Sequence, residues 1–336
     1  MFPVKRQYRH YAIAAGAGLT LALLGRFVFA SNLLNDAGGL LMLCFLLLVP
    51  MALGAVTAHF TPPSTSKLWR TVLGPVVTVM LFLFTALLFH LEGMICVLII
   101  SPLFLLTSWI GAYAYDIITR NKSDNNRTYV VAAFALLPFV LAPLEAQLNT
   151  PTDSRRVENT VLIQAPAAVV WQHIIRVPAI QAHDLGASLV DDIGFPRPVE
   201  ATLSHEGVGG VRRATFERGV EFIETVDLWE PRRRLSFSIV PNTATIPPTT
   251  FDEHVTVGGR FFDVLRGTYE LQPAGPGRTR LILYSQQRLS TRLNPYAGLW
   301  TDWVMSEIQR RILSVIKRRC ETALPATAYT RKTPVS

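Results

Sequence analysis

The first 150 residues contain long apolar runs that few charged residues interrupt. Each run approaches the roughly 20 residues that a helix needs to cross a hydrocarbon core of about 30 Å. Backbone groups in lipid must bond to one another, so such runs are expected to be helical. The pattern predicts a membrane α-helical bundle of about five spans in residues 1–150. The five expected spans are Tyr11–Ala30, Leu40–Ala58, Val72–Phe89, Met94–Tyr115 and Tyr129–Gln147.

Basic residues flank these spans on alternate sides. They precede the first span and occupy the loops after the second and the fourth, whereas the other two loops carry none. Cytoplasmic loops are typically rich in Lys and Arg, so the N-terminus is predicted to be cytoplasmic. Five crossings then place the rest of the chain outside, in the periplasm of a bacterial inner membrane. Residues 1–30 also resemble a signal peptide, and the sequence leaves their cleavage open.

After a short linker, Asn149–Asp153, apolar and polar residues begin to alternate as in half-buried strands. Pro166 precedes a short helical run, and Asn294 begins a long amphipathic one that ends near Thr322. Between the two helices lie short strands separated by turn residues, a spacing that favours antiparallel hairpins. The expected strands are Val199–Ser204, Val211–Arg218, Val220–Trp229, Arg234–Val240, Phe251–Val257, Gly267–Leu271 and Thr279–Gln287.

This order predicts an α+β domain over residues 151–325, followed by a disordered tail at residues 326–336. A curved antiparallel sheet has one concave face, and a long helix with an apolar stripe is the natural element to cover it. The expected stripe on that helix runs from Leu299 to Ile316. A loose fit between the sheet and the helix would leave a cavity.

The soluble part resembles the helix-grip fold of the START-like superfamily, also called SRPBCC, which includes polyketide cyclases and lipid-transfer domains. The resemblance implies a curved sheet wrapped on the C-terminal helix and a cavity for a hydrophobic ligand. It does not extend to the membrane part. The stretches that carry it are Val161–Trp171, Gly194–Pro198, Glu224–Pro231, Gly267–Leu271, Arg278–Leu281 and Trp300–Trp303.

Composition excludes some classes of function. The net charge of +8 is divided evenly between the two parts, without an aromatic-interleaved basic stripe, so nucleic-acid binding is not expected. The three cysteines, Cys44, Cys96 and Cys320, show no metal-ligand spacing, and only one lies in the soluble part. No metal site and no cofactor are predicted.

Two candidate site residues are ionisable groups on predicted strands. Glu224 shares strand parity with the apolar Phe222 and Val226, so both Glu224 and Phe222 are predicted to face the cavity. The alternative for Glu224 is a strand-end position paired with an arginine. His254 is either a polar cavity residue that exchanges protons near neutral pH or a structural histidine.

The remaining candidates are basic or aromatic. Any of Arg197, Arg212 and Arg213 is predicted to hold an anionic head group, with surface ion pairs as the alternative. Tyr269, Tyr296, Trp300 and Trp303 are predicted to line the pocket as well as to fill the core.

These patterns predict a membrane-anchored domain that binds a hydrophobic or amphipathic small molecule, such as a lipid. No complete catalytic constellation is visible, so binding is favoured over catalysis. Two alternatives stay open. The first is a cyclase or dehydratase that uses Glu224 or His254 as acid or base on a polyketide-like substrate. The second is a sensor or scaffold in which ligand occupancy changes the membrane helices.

Overall fold

The computed structural model describes residues 3–31, 34, 38–181, 184–186, 188–242 and 257–322. The chain divides into two compact units. The helical unit comprises Met1–Pro151 together with the short segment Thr291–Asn294. The sheet unit comprises Thr152–Ser290 and Pro295–Ser336. The predicted tail at residues 326–336 lies outside the described residues.

In the described residues, the helical unit has five main helices with short connections. Four of its segments are long and apolar enough to cross a membrane, judged by length and composition: Tyr8–Phe29, Trp69–Leu88, Met94–Thr119 and Asp124–Ala146. The main helices are α1 (Pro3–Phe29), α2 (Val49–Phe60), α3 (Gly74–Leu88), α4 (Met94–Thr119) and α5 (Asp124–Ala146).

The segment expected as the second of five spans is shorter than the sequence pattern suggested. Gly38 and Gly39 both take positive φ values, and Gly39–Leu41 forms a 3-10 turn, so the start of the apolar run lies outside the helix. The apolar helix that follows, Cys44–Phe60, is below the length of the four long segments. It opens with a π-helical turn, Cys44–Leu48, before α2 begins.

The carboxylate of Glu145, at the end of α5, holds the start of that helix. The backbone N–H groups of Leu43 and Cys44 donate to its two oxygens over 2.6 and 2.8 Å. Arg292, from the segment Thr291–Asn294, lies 3.4 Å from the same carboxylate and donates to the carbonyl of Leu148. Glu145 is therefore a buried anion that helix N–H groups and a guanidinium stabilise together.

Further ion pairs join other helices of this unit. Arg26 near the end of α1 lies 2.5 Å from Glu92 and donates to the carbonyl of Leu91. Arg70 pairs with Asp116 of α4. Arg26 is thus paired with a carboxylate.

Helices α2 and α4 cross at glycines. A Cβ atom added to Gly54 of α2 would collide with the backbone carbonyl of Ser108, and one added to Gly111 of α4 would collide with that of Met51. Small residues allow such close backbone approach in membrane helix bundles. Neither carbonyl can move without displacing its helix, so both positions require glycine.

We expect Gly54→Ala and Gly111→Ala each to destabilise the protein by at least about 2 kcal/mol, because a backbone must shift to admit the methyl group. Gly16→Ala in α1 is the matched control, since its Cβ would meet nothing within 4 Å. Thermal unfolding of the detergent-purified protein, followed by circular dichroism, compares the three variants. Equal stability of all three would contradict the glycine-mediated crossing.

The sheet unit contains a seven-stranded antiparallel sheet with the order β1-β7-β6-β5-β4-β3-β2. Three helices accompany it: α6 (Ala167–Ile175), α7 (Leu189–Asp192) and α8 (Asn294–Thr322), of which α8 starts in the segment that belongs to the helical unit. The strands are β1 (Asp153–Ile163), β2 (Pro198–Leu203), β3 (Val211–Phe216), β4 (Glu221–Glu230), β5 (Arg234–Pro241), β6 (Phe262–Pro273) and β7 (Thr279–Leu289).

One face of the sheet, here called the inner face, packs against α6 and the C-terminal half of α8. Its apolar residues form one core cluster with Ile174 of α6 and with Leu313 and Ile316 of α8. The inner-face members of the cluster include Val226, Leu235, Phe237, Tyr269, Leu271, Leu281 and Leu283. A curved antiparallel sheet with a long C-terminal helix fits the helix-grip arrangement, which confirms the predicted α+β fold of this part.

Two details of the sheet unit differ from the predictions. The strand predicted at Gly267–Leu271 is much longer and begins at Phe262. Leu299, expected in the apolar stripe of α8, is 68% exposed. Of the strand predicted at Phe251–Val257, all but Val257 lies outside the described residues.

Candidate functional site

A buried ion pair lies on the inner face of the sheet. The β3–β4 hairpin sets Arg212 directly opposite Glu224, and the guanidinium of Arg212 donates to the carboxylate. Arg212 is 4% exposed and Glu224 is 6% exposed. Leu203 of β2 stands opposite Arg212 on the other side and belongs to the apolar core. The hairpin register therefore places two charges inside an apolar interior.

Aromatic rings surround the guanidinium of Arg212. It lies over the ring of Phe237 at 5.3 Å from the centroid, a cation–π distance. The phenol of Tyr269 is close enough to interact with it electrostatically. Phe237 and Tyr269 are themselves buried in the core cluster, with their ring centroids 6.2 Å apart. Arg212, Glu224 and Tyr269 form what we call the polar triad.

Burial and mutual charge act in opposite directions on the polar triad. Burial raises the pKa of Glu224, and the neighbouring guanidinium of Arg212 opposes this rise. Burial also raises the pKa of Tyr269, again against the effect of Arg212. For Arg212 burial favours the neutral form, yet Glu224 and Tyr269 outweigh it and raise its pKa. The arginine stays charged, and the carboxyl group of Glu224 is the member that can accept a proton.

A second polar group lies on the same face, at the β7 side. Gln287 is 0% exposed, and its Nε2 donates to Asp302 of α8 over 2.8 Å. Asp302 also accepts from Nε of Arg155 in β1 over 3.0 Å. Among the described residues, no group donates to the Oε1 of Gln287. Arg155, Gln287 and Asp302 form what we call the α8 clasp.

Further polar contacts, made by Gln309, fix α8 to the sheet. The buried Gln309 donates to the hydroxyl of Ser285 over 2.8 Å and to the carbonyl of Val157 over 3.2 Å. Asn159 donates to the Oε1 of Gln309 over 2.9 Å. The helix is thus held by hydrogen bonds towards its N-terminal end and by apolar packing towards its C-terminal end.

The structure brings two of the predicted site residues together, Glu224 and Tyr269. Arg212, predicted beside Arg213 as a candidate for an anionic head group, joins them. The side chain of Arg213 is 62% exposed and lies 3.2 Å from Glu221 on the opposite face, so it is remote from the polar triad. Strand parity was the signal that could have separated Arg212 from Arg213, because Arg212 alternates with the apolar Ala214 and Phe216.

Two further candidates lie away from the polar triad in the contacts they make. Phe222 is half-buried and packs edge-to-face on Phe216 at 5.3 Å, in a smaller cluster with Val177. Arg197 donates to Asp191 over 2.8 Å, and Arg311 of α8 binds the same carboxylate. Arg197 therefore takes part in an ion-pair network, which was its alternative interpretation.

The aromatic candidates of α8 form a ladder along the helix. The ring centroids of Tyr296 and Trp300 are 6.5 Å apart, and those of Trp300 and Trp303 are 6.1 Å apart. All three are half-buried. His254 lies outside the described residues. Ligand binding by any of the candidate residues stays a prediction.

Within the described ranges, no three His, Cys, Asp or Glu side chains come together as metal ligands would. The polar triad offers one cation, one carboxyl group and one phenol in a dry environment. These three groups can form hydrogen bonds to a small polar moiety that enters an apolar interior, or exchange a proton with it.

Comparison with known proteins gives matches to solved structures alone. No family model matches the chain, and no curated protein matches it. The Zhui aromatase/cyclase from Streptomyces sp. R1128 is 20% identical, covers 52% of this chain and 99% of its own, and has a TM-score of 0.34. A START superfamily protein from Mycobacterium smegmatis is 15% identical, with coverages of 50% and 99% and a TM-score of 0.32.

DynU16, a protein of the dynemicin biosynthetic locus, is 20% identical over 51% of this chain, with a TM-score of 0.31. The match spans 48% of DynU16, about half its length. These neighbours have START-like and polyketide-cyclase-like folds. At such identities and scores the likeness carries no argument about ligand or reaction, so function must be argued from the residues themselves.

We expect Arg212→Met to lower the free energy of unfolding by about 3–5 kcal/mol, because it leaves the buried Glu224 without its partner. Arg213→Met, on the exposed face, is the matched control and should change stability by no more than about 0.5 kcal/mol. The double variant Arg212→Met/Glu224→Leu should recover most of the loss. Denaturation of the detergent-purified protein measures all three, and equal stability of the two single variants would contradict the burial of the pair.

Proposed function

We propose that the sheet unit binds a hydrophobic or amphipathic small molecule, such as a lipid, between the inner face of the sheet and α8. The observation that carries this proposal is the polar triad, a buried set of hydrogen-bonding groups in an otherwise apolar core. An apolar interior with a few convergent polar groups is typical of small-molecule sites. The apolar part of the ligand would supply the affinity, at about 0.8 kcal/mol per buried methylene.

The energetics of ion pairs support a role beyond stability. Moving a carboxylate and a guanidinium out of water costs several kcal/mol per ion, and packed apolar residues in their place often leave a protein equally stable or more stable. The pair of Arg212 and Glu224 is therefore better explained by the recognition of a polar group than by stabilisation of the sheet.

We further propose that the helical unit anchors the protein in a membrane. Large apolar side chains on its helices are exposed in a manner that water would penalise, among them Phe84, Leu88, Leu136 and Val140, each at least 60% exposed. Contact with lipid would remove that penalty. Anchoring also keeps the sheet unit at high effective concentration near its ligand if that ligand is a membrane lipid.

The orientation that we propose rests on the last loop and the last span. The loop between α4 and α5 carries Arg120 and Lys122, and Arg127 follows at the start of α5. The positive-inside rule makes this loop cytoplasmic. One crossing by α5 then places the sheet unit on the opposite side, which is the periplasm in a bacterial inner membrane.

The test is identification of the molecule that co-purifies with the full-length protein. We expect native mass spectrometry of the detergent-solubilised protein to show an adduct that extraction identifies as an apolar or amphipathic compound. Arg213→Met should retain the adduct, whereas the folded double variant Arg212→Met/Glu224→Leu should lose it. A protein that stays empty after incubation with membrane lipids would contradict the proposal.

Catalysis by the polar triad is a second candidate, favoured by the raised pKa of the buried Glu224. A carboxyl group with a pKa closer to neutral is suited to general acid–base work, as in a cyclase or dehydratase. Incubating the identified ligand with the purified protein tests this alternative by mass spectrometry. A new product that Glu224→Gln no longer forms would favour an enzyme, and recovery of the unchanged ligand would favour binding.

A further inference from the structure

We infer that the ligand lies across the strands of the sheet, with a hydrogen-bond acceptor at Arg212 and a hydrogen-bond donor at Gln287. This inference rests on the proposed binding function and specifies the ligand as a neutral amphiphile with a polar group at each end. Its basis is the position of two buried polar atoms for which the described residues offer no partner, the Nε of Arg212 and the Oε1 of Gln287.

The two side chains stand at opposite ends of one row across the sheet. On one side the strand register aligns Arg212 with Glu224 and then with Ile239. On the other side it aligns Val264 with Gln287. The pairing of β5 with β6 ends at Ser238 and Arg266, one residue before Ile239 and two residues after Val264, so the two halves of the row meet at the bulge of β6.

The row crosses from β3 to β7, which is four inter-strand spacings. At about 4.8 Å each, the Cα atoms of Arg212 and Gln287 are roughly 19 Å apart along the sheet. This length sets the scale of the distance between the ligand's two polar groups. The middle of the row is apolar, with Ile239 and Val264, and β6 carries a bulge between Val264 and Arg266.

The chemistry at Gln287 selects a donor. The carboxylate of Asp302 can only accept hydrogen bonds, so the Nε2 of Gln287 must be the atom that faces it. The Oε1 is then directed elsewhere, in a side chain that is fully buried. A buried carbonyl oxygen without a donor is unfavourable, and a hydroxyl or amide N–H of a ligand would satisfy it.

The chemistry at Arg212 selects a neutral acceptor. The guanidinium already donates to the carboxylate of Glu224 and interacts with the phenol of Tyr269. Its Nε–H has no partner among the described residues. A ligand carboxylate at this position would be repelled by Glu224. An ester, ketone or amide carbonyl accepts the hydrogen bond without adding charge, so the acceptor is assigned to this class.

Methyl esters of fatty acids, with and without a hydroxyl group on the terminal carbon, test the inference on the full-length protein in detergent. Both esters offer the carbonyl for Arg212, and only the hydroxylated one offers a donor for Gln287. Across a series of chain lengths, we expect the hydroxyl group to tighten binding by about threefold to tenfold, the effect of one additional hydrogen bond. The gain should be largest at one chain length, since the two anchors are a fixed distance apart.

Variants of two neighbouring glutamines test whether the affinity gain from the hydroxyl group depends on Gln287. Gln287→Leu removes the acceptor and should abolish the gain from the hydroxyl group while leaving the plain ester bound. Gln286→Leu, one residue away on the exposed face, is the matched control and should keep the gain. Gln287→Met serves as a second variant of similar length if the leucine variant does not fold.

The outcomes separate the two proposals. If both esters bind the wild-type protein with equal affinity at every chain length, the two-ended ligand is wrong, and the proposed binding function stands. The same conclusion follows if a gain is present and survives in the folded Gln287 variants. If neither ester binds, and no apolar molecule co-purifies with the protein, the proposed function and the inference built on it fail together.

Discussion

The pairing of Arg212 with Glu224 inside an apolar core is the interaction on which the arrangement of the sheet unit depends. Neither charge could stay buried alone, so β3 and β4 must keep the register that sets the two side chains opposite each other. A shift of β3 by one residue would set Arg213 opposite Glu224 and turn Arg212 and the buried Ala214 to the outer face. The pairing of β4 with β5 then sets Ile239 opposite Glu224, and Phe237 lies under the guanidinium of Arg212.

The long helix α8 has two kinds of contact with the sheet, and they differ in how much displacement they tolerate. Leu313 and Ile316 pack in the apolar core, where contacts tolerate small displacements. Asp302 and Gln309 are held by directional hydrogen bonds to β1 and β7, which lose their strength when the geometry changes. The stretch of the helix from Asp302 to Gln309 is therefore more precisely placed than the stretch that follows it, and Asp302 binds Gln287.

The alternation of apolar and polar residues was sufficient to predict the sheet and its helices. Strand parity placed Glu224 on the inner face, and the long helix was predicted with its observed limits, Asn294–Thr322. Parity groups Arg212 with Ala214 and Phe216, but it could not identify Glu224 as the partner of Arg212, because Glu224 lies on another strand. Nor could hydropathy find the shortened helix before Phe60, since its start is set by the backbone of Gly38 and Gly39 and by the distant Glu145. The pairing of Arg212 with Glu224 and the start of this helix both depend on contacts between residues far apart in sequence.

The segment Thr291–Asn294 belongs to the helical unit, although the residues on both sides of it belong to the sheet unit. Arg292 binds Glu145 and Leu148 there, and Asn294 donates to the carbonyl of Pro151 over 3.1 Å. A truncated chain that begins after residue 151 would keep every strand and yet lose all of these partners. The chain thus passes from one unit to the other more than once, and no single cut in the sequence separates the two units.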